Sequence, residues 1–144
     1  MRFLVLSSFG LSALACWVAV AAAGRVELRI YDPAGHVKVA VALAGVIRSS
    51  AHAWRPPRGA AALSVRLTSE GVSACNSLTR SLAKRGAEAH KQQRMALEVN
   101  GRIVAAPLID YQAFPDGLDC APGIQVNVSS FATAQRLAAD IRKG

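Results

Sequence analysis

The sequence is poor in the residues from which active sites and metal centres are built. Its 144 residues include 9 aspartates and glutamates, 3 histidines and 3 cysteines. His36, His52 and His90 stand far apart, without the paired spacing that a metal-binding helix provides. No nucleophile, base and orienting group recur together, so no catalytic constellation is read and an enzyme is not expected. Asp110, Asp116 and Asp119 share one loop and could offer oxygens to calcium. Their spacing matches no EF-hand, however, and Asp116-Gly117 is equally a turn signal. Neither a metal nor a cofactor is expected. Aromatic residues are 6 % of the chain and do not interleave with the cations, which removes the base-stacking platform of a single-strand binder. Beyond residue 24, no apolar run approaches the roughly 20 residues that a membrane span requires.

What the chain does hold begins at its leader. Arg2 precedes an apolar stretch over residues 3–23, which ends in Ala21-x-Ala23 before Gly24. This is the arrangement of a secretory signal peptide cleaved after Ala23, and it implies a periplasmic protein. The same stretch read as an uncleaved anchor would span a bilayer. A lipoprotein would use Cys16, but Ala13-Leu14-Ala15 puts Ala where Leu is usual and Leu where a small residue is usual. With Cys16 in the leader, Cys75 and Cys120 remain, an even pair that permits one bridge or stays as two buried thiols. A bridge closing a loop of that length is worth about 4 kcal/mol in the chain-entropy model. The rest of the chain suffices for one domain with a modest core.

Lysine and arginine number 17, giving a formal charge of +8. For an exported protein the anions at hand are lipid headgroups, cell-wall polymers and acidic proteins, so nucleic acid is not expected as a partner. Arg80, Lys84, Arg85, Lys91 and Arg94 form a candidate basic surface for such an anionic envelope partner. The plainer reading of that run is a solvated helix face.

Residues 25–31 alternate polar and apolar, as do residues 36–43, with Asp32-Pro-Ala-Gly35 between them, which predicts an N-terminal β-hairpin. Residues 49–61 carry Trp54-Arg-Pro-Pro-Arg58 and Gly59 and read as a linker. Residues 63–67 predict a short strand. Thr68 or Ser69 then caps a helix, with Glu70 at its positive end and Val72, Cys75, Leu78 and Leu82 on one face. Cys75 thereby points at the sheet, the placement that a bridge to Cys120 needs. Asn100-Gly101 between two apolar runs is a strong hairpin signal, since both residues tolerate the positive φ of a tight turn. Residues 123–128 predict a last strand. A final helix follows Ser129 or Ser130, buries Phe131, Ala134, Leu137, Ala138 and Ile141, and ends in Arg142 and Lys143, which complement its dipole. The order describes an α+β domain over residues 61–144, a mainly antiparallel sheet with two helices packed on one face, preceded over residues 24–60 by the hairpin and linker.

The run Ala96, Leu97, Asn100, Gly101, Ile103, Ala105, Ala106, Pro107 and Ile109, followed by Gln125, Val126, Phe131, Ala134, Leu137 and Ala138, resembles the periplasmic head of SecD, a subunit of the bacterial Sec translocase. The likeness covers residues 61–144 and implies the same α+β fold. Asn100 stands where that family usually has Asp, Ala105 where it has Ser, and residues 127–130 replace a shorter Gly-containing link. Beyond residue 24 the membrane spans of a full SecD have no counterpart, so its proton-driven movement is not carried over. What the resemblance implies is a non-enzymatic, stand-alone head module that contacts translocating or newly exported polypeptides, or a Sec or envelope partner.

Within that reading the candidate contact residues are Asn100, Gly101, Arg102, Ala106, Pro107, Ile109, Gln125 and Asn127. Pro107 in a strand pattern marks an edge or a bulge, and an open edge can recruit an extended peptide as an added strand or simply be guarded by the proline. The alternative, from another class, is a small periplasmic inhibitor or immunity-type protein whose disulfide-braced loop over residues 110–122 plugs one target enzyme.

Overall fold

A computed structural model describes residues 25–144, so the expected leader and Cys16 lie outside the described residues. Strand β1 (Leu28–Tyr31) buries Leu28 and Ile30 and exposes Arg29, as strict alternation dictates. It pairs antiparallel with β2 (Val41–Ala42), Ile30 opposite Val41. The N-terminal hairpin is therefore present, with strands shorter than the alternation suggests. Its connection is organised by Asp32, whose carboxylate accepts from the amides of Ala34, His36 and Val37 at 2.8–2.9 Å. Burial pushes the Asp32 carboxyl up, but these three amides outweigh it and hold the group below its ordinary value.

A 3-10 turn at Leu43–Gly45 leads into β3 (Val46–Trp54). Here the structure corrects the sequence reading, because residues 49–54 are strand and the linker is confined to residues 55–61. The alternation is hidden by a register shift between Ile47 and His52 in the pairing with β4 (Ala62–Leu67). At that irregularity the Ser50 hydroxyl accepts from the Arg66 amide at 2.8 Å, a side chain standing in for a backbone acceptor.

Helix α1 (Ser69–Ala89) starts at Thr68, whose hydroxyl accepts from the Gly71 amide at 3.1 Å. Cys75, Leu78 and Leu82 form its buried face together with Thr79, Ala83 and Gly86. A Cβ on Gly71 would lie 2.0 Å from the Gly45 carbonyl oxygen, so the helix meets the 3-10 turn backbone to backbone. The chain continues through β5 (Gln93–Arg94), β6 (Ala96–Val99), β7 (Arg102–Ala105) and β8 (Leu108–Ile109). Asn100 and Gly101 turn between β6 and β7 at φ 51° and 75°. Leu97 faces Ala105 while Glu98 faces Ile103, so Val104 is an extra residue bulging from β7. After β9 (Gly123–Asn127), helix α2 (Phe131–Lys143) is capped by Ser130, which accepts from the Thr133 amide at 3.1 Å.

The strands form a four-stranded sheet in the order β2-β1-β6-β7, a three-stranded sheet β3-β4-β9 and the pair β5-β8, all antiparallel. This is an α+β fold with two helices against antiparallel sheets. β1 lies inside its sheet between β2 and β6, so the N-terminal segment extends a sheet and is not a separate flap. One core joins Ile30 and Val41 from that segment to Leu63, Leu78, Leu82, Leu97 and Ile141. Among the described residues, no helix is long and apolar enough to cross a membrane.

Candidate functional site

The loop over residues 110–122 is fastened to α1 at several points. Cys120 is disulfide-bonded to Cys75, with their Cα atoms 6.0 Å apart. The Cys120 amide donates to Asn76 Oδ1 at 2.8 Å, and the Leu118 amide donates to Thr79 Oγ1 at 3.0 Å. Gly117, at φ 82°, passes so close that a Cβ would sit 2.4 Å from the Arg80 nitrogen. Two of the three carboxylates of this loop serve its own turns. Asp110 accepts from the Gln112 and Ala113 amides, and Asp119 accepts from the Ala121 amide. Among the described residues, no group of three or more His, Cys, Asp or Glu side chains could hold a metal ion.

Beyond this loop the chain enters β9, which is paired on one side only. The Leu67 amide donates to the Pro122 carbonyl and the Val128 amide to the Ala61 carbonyl, at 3.0 and 3.1 Å. Bonded and non-bonded pairs alternate in an antiparallel ladder. Counting inward from those two bonded pairs through the register makes Leu63↔Val126 and Val65↔Ile124 bonded, and Ser64↔Gln125 and Ala62↔Asn127 non-bonded. The backbone N–H and C=O groups of Gln125 and Asn127 therefore point away from β4, toward the free edge.

Beside that edge lies a groove of about 450 Å³ lined by Met95, Pro107, Phe114, Leu118, Ile124 and Gln125. Phe114 is 49 % exposed at its rim. The disulfide-bonded Cys120 also lines it, so the braced loop forms one wall and the Pro107 segment faces it. An unpaired strand edge next to an apolar recess can take an extended chain, giving it backbone partners and a place for one side chain.

No family model matches this chain, and no curated protein matches it in sequence. In three dimensions it is similar to a crystal structure of SecDF in a super-membrane-facing form, with a TM-score of 0.56 at 18 % identity over 83 % of this chain. The fold is SecD-like. The chain corresponds to 18 % of the length of that SecDF chain, so the likeness is one of domain architecture.

Within the SecD-like fold, the sequence-read contact residues fall in different places. Pro107 and Gln125 meet at the groove, and Asn127 follows on the same free edge. Asn100 and Arg102 line a separate cleft of about 320 Å³ between β7 and α2, with Gly101 at the turn beside it. Asn100 also has a local task, since its amide donates to the Glu27 carbonyl at 2.9 Å and its Oδ1 accepts from the Glu27 amide at 3.0 Å. The Ala106 carbonyl accepts from Arg94 at 2.7 Å. Ile109 is corrected by its burial. At 1 % exposure, and paired with Gln93, it is a core residue and presents no contact face.

Arg80 and Lys84 are exposed one turn apart on α1, with Glu88 a turn further on, and Lys91 lies exposed past the helix end. Arg85 is half-buried, its Nε without a hydrogen-bond partner, and Arg94 is tied to Ala106. The groove residues that the sequence did not single out are Met95, Phe114, Leu118 and Ile124. An aromatic in a loop of Asp, Pro and Gly was the available signal.

Proposed function

We propose that this domain is a non-enzymatic export-associated module that binds an extended segment of an unfolded, exported polypeptide by adding it as a strand to β9. The observation that carries this reading is the outward-facing backbone of Gln125 and Asn127 beside the apolar groove. Backbone pairing is tolerant of sequence, which suits a guest of variable composition, and the groove adds a preference for an apolar side chain. The likeness to SecDF supports a setting in protein export, and the leader-like residues 1–23 support action in the periplasm. In this reading the braced loop is a wall of the site, not a plug for one enzyme.

The test is binding of a labelled, reduced and alkylated exported protein to wild type and to Gln125→Pro. Proline at 125 removes an outward N–H and leaves the β4 ladder intact. The expected result is a loss of about tenfold in affinity with an unchanged unfolding midpoint, since one or two backbone bonds of about 1 kcal/mol each are lost. Wild-type affinity in a folded Gln125→Pro protein would rule out the β9 edge. Photo-crosslinking from Gln125 and Arg102 in cells separates the partners. Many exported chains or translocase subunits support the module, whereas one folded enzyme transfers the assignment to the inhibitor reading.

A further inference from the structure

The fold gathers a second set of cations that no segment of the sequence displays, and it lies away from the β9 groove. Arg48 and Ser49 of β3 meet Arg142 and Lys143 of the last α2 turn around a shallow cleft of about 590 Å³. Arg48 also lines the neighbouring cleft, shared with Arg25, Arg29, Leu43 and Glu27. Across the two clefts Glu27 is the sole carboxylate side chain, against Arg25, Arg29, Arg48, Arg142 and Lys143. Part of this charge is already engaged, because Arg29 stacks on the Tyr31 ring at 4.4 Å and Arg142 donates to the Ala51 carbonyl. Arg48 and Lys143 are exposed. The nearby Asp140 lines the cleft on the β7 side of α2, together with Arg136.

We propose that this face docks on an anionic phospholipid surface, with Arg48, Lys143 and the Ser49 hydroxyl contacting headgroup phosphates and Arg25 flanking them. Arginine and lysine near a charged bilayer each add favourable binding, and guanidinium matches phosphate geometry. Two features favour a bilayer over a free anion. Arg25 follows the apolar residues 3–23 with Gly24 alone between, so whenever that stretch occupies a membrane, in transit or as an anchor, Arg25 is held beside the headgroups and keeps the cleft it shares with Arg48 close to them. The half-buried Val26 and Leu43 line the adjoining cleft, an apolar complement suited to the interface.

The experiment measures partitioning of the full chain onto vesicles containing phosphatidylglycerol relative to vesicles of phosphatidylcholine alone. In that ratio any insertion of residues 3–23 contributes to both and cancels. Arg48→Gln with Lys143→Gln is expected to lower the ratio by about 30-fold, at roughly 1 kcal/mol per cation. The matched pair Lys38→Gln with Arg58→Gln removes the same charge from exposed loops outside both clefts and is expected to change it by less than about twofold. Added salt should weaken wild-type partitioning, as screening requires. Equal losses for the two pairs would reduce the effect to net charge and overturn the proposal. So would a wild-type ratio of one at low ionic strength, or tighter binding to a short oligonucleotide than to vesicles at equal phosphate. Circular dichroism of each variant excludes unfolding as the cause of a loss.

Discussion

Two single side chains show how local chemistry supports this fold. Asp32 is buried, and its charge is stabilised by three amides of the turn that follows. Its folded pKa lies below the ordinary value, so its contribution is present above the unfolded pKa and is lost as pH falls through the folded pKa. Asp32→Asn turns an amide toward donors and is expected to cost about 1–3 kcal/mol at neutral pH. Urea midpoints measured across acidic pH should show the gap between the two proteins closing as Asp32 protonates in the wild type. At Gly71 the usual helix rule reverses. Alanine normally stabilises a helix interior, but its Cβ here would enter the Gly45 carbonyl. Gly71→Ala is expected to lower stability by about 2–4 kcal/mol, because overpacking outweighs the roughly 1 kcal/mol of propensity gained. A midpoint that rises instead would show that the turn can retreat.

At the scale of elements, what was legible in the sequence was what adjacent residues determine. Asn100-Gly101 specifies its own turn, a hydroxyl caps each helix, with the structure selecting Thr68 over Ser69 and Ser130 over Ser129, and the spacing of Cys75, Leu78 and Leu82 defines a face. β3 was half hidden because its irregular pairing breaks the two-residue period, and Ser50 repairs the ladder from a position that looks like loop. The groove was only partly readable, since Met95 and Phe114 come together through pairing and a disulfide, not through spacing. The cation cluster was unreadable for the same reason, drawing on β3 and the end of α2. The braced loop carries a prediction at this level. Replacing Cys75 and Cys120 with serine is expected to lower stability by about 4 kcal/mol in the chain-entropy model. Asn76 and Thr79 still hold the loop, so circular dichroism should stay folded while affinity for an unfolded chain falls with the loosened wall.

For the molecule as a whole, the decisive feature is that early and late segments share one core. Ile30 pairs with Leu97 across β1 and β6, β3 covers one side of β4, and Glu27 clasps Asn100. Residues 61–144 expressed alone are therefore expected to lack cooperative thermal unfolding, because removal of β1 and β3 uncovers Leu97, Leu63 and Ile141. A sharp calorimetric transition in that fragment would show that the C-terminal part is self-sufficient. The open side of β9 has a further consequence for the behaviour of the protein at high concentration. Gln125 and Asn127 carry no charge to repel a second copy, and two such edges can zip together antiparallel. The site that welcomes a stranger thus also welcomes its twin. Concentrated preparations should hold a dimer that dilution dissolves, and a proline at 125 or an abundant guest should keep the copies apart.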